Sequence, residues 1–278
     1  MRERPPIFDL NHSSSPLARG LVFAGLGSGP GAGMYVDSSF ARNHGLLTNM
    51  DPATDWCNTD IGPAILLSDN NDSITVPDAP SLNPTSELTL WTMCYPTDLT
   101  TPAYPSLFGK GWAQQFNLIA DYSGGGAYAG NARAIVHIGG VRRDLTNGSA
   151  MVVNKWQSVA MVVRSGYQRL YHNGVGADPF SYTGAITVTA NDLLIGDSSS
   201  QQSFAGYISS ACIWNRALSP SEIAVLADPS NVNLSCGGVP LIREPRPMRN
   251  FIGQAGGGGA ATFPWLWTRN SKVIGASA

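Results

Sequence analysis

The chain has 278 residues, 43% of them hydrophobic and only 13% charged, with 31 Gly and 19 Pro; an average soluble domain is about 25% charged, so this is a turn-rich chain unlike a helical bundle. Its length fits one large all-β domain with an appendage. The 17 basic and 19 acidic residues nearly cancel, which removes the overall field that would draw the chain to nucleic acid or to anionic lipid.

The first residues, "MRERPPIFDLNHSSS", are charged but lack the apolar stretch of roughly 7 to 15 residues that a secretory signal needs. No apolar run approaches the roughly 20 residues of a membrane span. The expectation is a soluble chain with no export signal, residues 1–16 forming an extension. "GLGSGPG" (25–31) fits neither G-x-S-x-G nor, because of Pro30, G-x-G-x-x-G, and reads as a turn between strands.

Six runs then read as strands: "ELTLWTMCY" (87–95), "ARAIVHIGG" (132–140), "WQSVAMVV" (156–163), "QRLYHNG" (168–174), "AITVTANDLLIG" (185–196) and "GYISSACIW" (206–214). They are rich in β-branched and aromatic residues and bounded by turn formers. Asn173-Gly174 suits a tight hairpin, whose central residues both need positive φ. Ser219-Pro220-Ser221-Glu222 spells a capping box with Pro at the first helical position, so a short helix closes the last strand, and Glu222 is spoken for as a cap. Cys57, Cys94, Cys212 and Cys236 are too far apart for C-x-x-C metal ligation and read as reduced.

"GYISSACIWNRALSPSEIAVL" (206–226) resembles the closing segment of concanavalin A-like, laminin-G-like jelly-roll domains. Other stretches of that pattern occur in order upstream: Asp37-Ser38-Ser39 followed by Asn43-His44-Gly45; "AILLSDNNDSITVPDAPSLNPTSELTLW" (64–91); W-x-x-V-A from Trp156; L-Y-x-N-G from Leu170; and L-L-I-G from Leu193. The resemblance spans residues 17–228 and implies an all-β, two-sheet antiparallel jelly-roll sandwich with a short C-terminal helix and an extended tail.

Such a scaffold does not fix an activity. A glycoside hydrolase needs two carboxylates about 5 to 9.5 Å apart, and the E-x-D-x-x-E strand motif of the hydrolases of this superfamily is missing. The expectation is no catalysis and no cofactor. Calcium-binding relatives imply a site built on Asp69, Asn70 and Asp197, with Gln201 and Gln202 near; Ca²⁺ takes about six to eight oxygens, and this loop offers too few carboxylates for a strong site. A sugar site combines aromatic platforms with convergent polar groups. Trp112, Gln114, Asn117, Asp121, Tyr122 and Tyr128, in loops rich in Gly and polar residues, are the candidates.

Residues 229–278 depart from the domain pattern. Arg243, Arg246, Arg249 and Arg269 flank an apolar cluster holding Phe263, Trp265 and Trp267, beyond the tract "AGGGGAA". A cluster of that density marks a contact surface, expected to anchor the chain to a capsid or tail protein or to a second copy. Two functions fit. The first is a virion structural protein, most plausibly of a bacteriophage (capsid decoration, head fibre or tail), displaying a lectin-like domain for glycans or a host surface. The second is a secreted or cell-surface lectin-like module. The missing export signal favours the first.

Overall fold

The computed structural model describes residues 16–26, 33–68, 71–100, 104–111, 114–120, 130–198 and 203–229. The chain divides into Met1–Leu241 and Ile242–Ala278, and every described residue belongs to the first unit.

In chain order the strands are β1 (Leu21–Leu26), β2 (Met34–Tyr35), β3 (Gly45–Thr48), β4 (Trp56–Thr59), β5 (Gly62–Leu67), β6 (Ser73–Val76), β7 (Leu88–Asp98), β8 (Ser106–Lys110) and β9 (Phe116–Ala120). Then follow β10 (Asn131–Ile138), β11 (Val141–Ala150), β12 (Gln157–Arg164), β13 (Tyr167–His172), β14 (Val175–Gly176), β15 (Phe180–Ser181), β16 (Leu193–Ile195), β17 (Ala205–Trp214) and the helix α1 (Pro220–Ala227). One antiparallel sheet runs β14-β13-β12-β7-β17-β5-β4, with β1 also on β17 and β15 on β13; the other runs β11-β10-β9-β8-β16-β6-β3-β2. The fold is the expected two-sheet sandwich with one short helix.

Alternation sets the layers. Leu88, Leu90 and Cys94 of β7 face the space between the sheets, where they meet Phe116, Leu118, Ala134 and Val136 of the second sheet. Their neighbours Trp91 and Met93 point the other way, into a second apolar layer with Trp214, Leu17, Ile223 and Leu226. The bulge between Ile208 and Ser210 in β17 lets Ile208 and Ala211, three residues apart, both face the core.

The motifs that carry the resemblance turn out to be joints. The Asp37 carboxylate is buried and accepts from the amides of Ala24 (2.9 Å), Ser39 (2.8 Å) and Asn43 (2.6 Å), while the Asp37 amide donates to His44 Nδ1. Trp214 Nε1 donates to the Leu17 carbonyl at 2.6 Å, tying the amino-terminal segment over the outer face of the first sheet. The capping box is complete, Ser219 accepting from the Glu222 amide and Glu222 from the Ser219 amide. Asn173 and Gly174 have φ of 49° and 77°, as the hairpin joining β13 to β14 requires.

One predicted strand is corrected. "AITVTANDLLIG" does not run as a single strand: only Leu193–Ile195 pairs, preceded by an isolated bridge at Ile186. The polar residues between them divert the backbone into side-chain contacts, Thr189 N and Oγ1 donating to Gln115 Oε1 and the Asp78 amide to Asp192 Oδ1. Among the described residues no disulfide forms, and burial pushes the Cys94 thiol far up. Cys236 lies outside those residues.

Candidate functional site

The outer faces of the two sheets differ. On the first sheet, α1 and the segment before β1 cover Trp91 and Trp214. Further along the same face, past that cover, a row of side chains crosses four adjacent strands. Leu66 of β5 pairs with Tyr207 of β17, and Tyr207 with Tyr95 of β7. Trp156 stands beside Tyr95, immediately before Gln157, the β12 residue that pairs with Cys94. The Tyr95 ring lies 5.4 Å from Trp156 at 59° and 5.8 Å from Tyr207 at 75°. All three aromatics are only half-buried. The indole N–H of Trp156 donates to Asp60 Oδ1 at 2.9 Å, so the exposed turn between β4 and β5 walls the row with a carboxylate. Cross-strand aromatics stabilise a sheet pair by up to about 1 kcal/mol, and Trp156 also packs against the outer apolar layer.

The second sheet's outer face carries an ion-pair cluster beside buried Ile119 and Ile135. Arg133 and Arg142 hold Asp144 between them at 2.8 and 2.7 Å, and the Arg133 guanidinium sits 5.8 Å from the centre of the Tyr104 ring. His137, on the same face of β10, is held below the usual imidazole range by burial first and by Arg142 next, with Asp144 opposing.

The residues singled out from sequence scatter. Gln114 is exposed, its Oε1 accepting from Asn191 Nδ2 at 2.6 Å. Asn117 does not lie on a loop. It belongs to β9 and is 1% exposed, accepting from Ser106 Oγ at 2.9 Å. The apolar alternation of Phe116, Leu118 and Ala120 extends the strand through it, which removes it from any surface site. Trp112, Asp121, Tyr122 and Tyr128 lie outside the described residues, as do Asp69, Asn70, Gln201, Gln202 and the tail from residue 230 on, including Arg243, Arg246, Arg249, Phe263, Trp265, Trp267 and Arg269. Asp197 Oδ1 accepts from the Ser198 amide at 2.6 Å, a local turn contact. Among the described residues no group of three or more His, Cys, Asp or Glu could hold a metal ion.

Below Gln114, the rim is braced from inside. Lys110 is fully buried and its Nζ reaches Asp78 Oδ1, Asn83 Oδ1 (2.6 Å) and the Thr189 carbonyl (3.3 Å). Gln115, also buried, donates from Nε2 to Asn83 Oδ1 at 3.2 Å.

Three of the described carboxylates are engaged in local structure. Glu222 caps α1 and pairs with Arg216, Glu87 Oε2 accepts from the Ala217 amide, and buried Asp72 accepts from the amide and hydroxyl of Ser68. Of the histidines, His44 serves the Asp37 turn, and His172 is paired with Gln157 Oε1 at 3.0 Å and held below the usual range by burial.

Residues 68–224, more than half of the chain, match the Laminin_G_3 model, described as the concanavalin A-like lectin/glucanases superfamily. The chain belongs to this Laminin_G_3 family. No curated protein sequence matches it. Among solved structures, domain 4 of the extracellular arabinanase AbnA from Geobacillus stearothermophilus, in complex with arabinotriose, is 20% identical with a TM-score of 0.58, covering 75% of this chain and 98% of that one. The binding domain of Paraclostridial Mosquitocidal Protein 1 is 18% identical with a TM-score of 0.59, covering 75% and 52%. A structure of botulinum neurotoxin type C, whose cell entry depends on interaction with two ganglioside molecules, is 11% identical with a TM-score of 0.53, covering 75% and 50%. This Laminin_G_3 chain thus spans about half of the toxin chains it resembles. At these identities the likeness is one of fold. No described helix is long and apolar enough to cross a membrane.

Proposed function

We propose that this Laminin_G_3 chain is a non-enzymatic glycan-binding protein whose sugar platform is the row Tyr207, Tyr95 and Trp156 with Asp60. The observation that carries the reading is that these rings stand half-exposed, side by side across neighbouring strands, next to a carboxylate. An aromatic face takes the C–H side of a sugar ring, and a carboxylate oxygen accepts from its hydroxyls, the usual division of labour at such a site. Asp60 is the carboxylate in contact with the Trp156 indole. The arabinotriose complex of the AbnA domain and the ganglioside dependence of the type C toxin support the reading at the level of the fold. The loop residues Trp112, Gln114, Asp121, Tyr122 and Tyr128 remain a second candidate surface, and calcium at Asp69, Asn70 and Asp197 a second-order one.

The finer reading is display on a virion, most plausibly of a bacteriophage, with residues 229–278 fastening the domain to a capsid or tail protein or to another copy. The clustering of Phe263, Trp265 and Trp267 with arginines in that tail supports it. A secreted or cell-surface lectin-like module is the alternative.

The test is a glycan array probed with the full chain, with and without EDTA, followed by titration of any hit. Trp156→Ala and Tyr207→Ala should each weaken binding at least about tenfold, a loss of about 1.4 kcal/mol, with thermal unfolding still cooperative. Unchanged binding in both variants removes the platform. An array without hits removes the glycan reading, and binding abolished by EDTA shows a calcium site.

A further inference from the structure

The cluster around buried Lys110 holds the parts of an amide-forming reaction. Lys110 Nζ, on β8, lies 2.6 Å from the side-chain carbonyl oxygen of Asn83, which follows the short 3-10 turn Pro80–Leu82. Asp78 Oδ1 accepts from Lys110 Nζ and also from Asn83 Nδ2, the latter at 2.9 Å. Gln115 Nε2 donates to the same Asn83 carbonyl oxygen at 3.2 Å. A buried ammonium needs only acceptors. A plain ion pair does not call for an amide carbonyl beside the amine, with that amide's own NH₂ bound to the carboxylate partnering the lysine.

We infer that Lys110 and Asn83 become joined by an intramolecular isopeptide bond, with Asp78 as the proton shuttle. Nζ passes a proton to Asp78 and the neutral amine adds to Asn83 Cγ, forming the new C–N bond. Gln115 donates to the oxygen on which charge develops, the role of an oxyanion donor. Asp78 returns that proton to the departing nitrogen and takes the second proton from the newly bonded one; the tetrahedral centre collapses, the Cγ–Nδ2 bond breaks, and the ammonia released carries the last proton away as ammonium. One lysine ammonium and one primary amide become one secondary amide plus ammonium, with no oxidant or other reactant. The same carboxylate touches both nitrogens, so its proton has no distance to travel between the two steps. Holding amine and amide in contact converts a slow bimolecular aminolysis into an intramolecular one.

The local environment suits each part. Lys110 is fully buried, so its amine meets only the protein groups around it. The Asp78 side chain keeps 28% exposure, which leaves ammonia a way out. Hydrogen bonding from Lys110, opposed by partial burial, holds the Asp78 carboxyl below its usual range, so it starts as the base. The link would tie the segment between β6 and β7 to β8, across the intervening β16.

Intact-mass measurement of the reduced full chain, after incubation at pH 8 to 9 in native buffer, tests this. The expected mass is about 17 Da below that of the sequence, the loss of ammonia on forming a covalent link, and trypsin should fail to cut after Lys110 and yield one branched peptide carrying both Asn83 and Lys110. Lys110→Arg and Asn83→Ala should restore the full mass. Asp78→Asn, which keeps the shape and removes the shuttle, should also remain at full mass while folded by circular dichroism. A wild-type chain at full mass with ordinary cleavage after Lys110 overturns the proposal and leaves the cluster as a buried ion pair. An ammonia loss that persists in Lys110→Arg assigns it elsewhere and overturns the proposal equally.

Discussion

Arg216 and Glu222 meet at two points, Nη2 to Oε1 at 2.6 Å and Nη1 to Oε2 at 3.1 Å, and so lock the end of β17 to the first turn of α1. The same guanidinium donates to the carbonyls of Arg19 and Pro16, both at 2.7 Å. One side chain therefore fastens the amino-terminal segment, the last strand and the helix together. Burial by itself would raise the Glu222 carboxyl, but hydrogen bonds from Arg216 and Ser219 outweigh it and hold the group below its ordinary value of 4.5.

Because that folded pKa is depressed, the contribution of Glu222 to stability is complete above the ordinary value and is lost as pH falls through the lower folded value. Glu222→Gln should cost about 1 to 2 kcal/mol at pH 7, the worth of a cap and a charged hydrogen bond. Urea titrations of the two proteins should converge in acid. A gap that stayed constant down to acid would show that the charge of Glu222 contributes nothing.

Gly206, at the start of β17, has φ of 146°, and a Cβ there would meet the Tyr95 carbonyl oxygen at 2.2 Å. Gly206→Ala is expected to lose about 3 kcal/mol or more, because both backbones would have to part next to the aromatic row. Gly139, with φ of 57° and open space around it, should cost only about 1 kcal/mol on the same change, conformational strain alone. Equal losses at the two sites would contradict the close packing of β17 on β7.

No reducing ends should be released from β-glucans, laminarin or other polysaccharides, since Glu222, Glu87 and Asp72 are committed to caps and turns. A reducing-sugar assay with the full chain decides. Release that disappeared on changing Glu87, Asp69, Asp72 or Asp197 would make the protein an enzyme.

Truncation after Ser230 should leave far-UV circular dichroism near unchanged and abolish self-association or incorporation into particles. Aromatic anchors ringed by arginine are worth roughly 2 kcal/mol or more apiece at interfaces. Unfolding of the shortened chain would assign the tail to the domain's own core, and normal assembly would remove its anchoring role.

The platform was not legible in the sequence, because nothing local marks it. Tyr95 belongs to a run that reads as a buried strand, Tyr207 to a motif that reads as structural, and Trp156 to a W-x-x-V-A match. Each is an ordinary strand aromatic until pairing sets β17 against β7 and β7 against β12, more than a hundred residues from first to last. Asn117 failed for the opposite reason: its polarity suggested a loop, and the apolar alternation around it carried β9 straight through. The Lys110, Asn83, Asp78 and Gln115 cluster likewise draws on segments that share no motif.

By itself the sequence determined what depends on near neighbours: alternation that makes strands, Asn173-Gly174 with the positive φ a tight turn needs, and Ser219 with Glu222 closing a cap within one helical turn. These contacts form within a few residues, so the chain order of the motifs was enough to specify a two-sheet sandwich. Tertiary structure alone decided which outward faces are covered and which meet solvent. Side-chain period in a strand says only that alternate residues share a face, whereas the outer apolar layer takes in Trp91, Met93 and Trp214 and leaves Tyr95 and Tyr207 half-open. That boundary is set by the lengths and docking of distant elements.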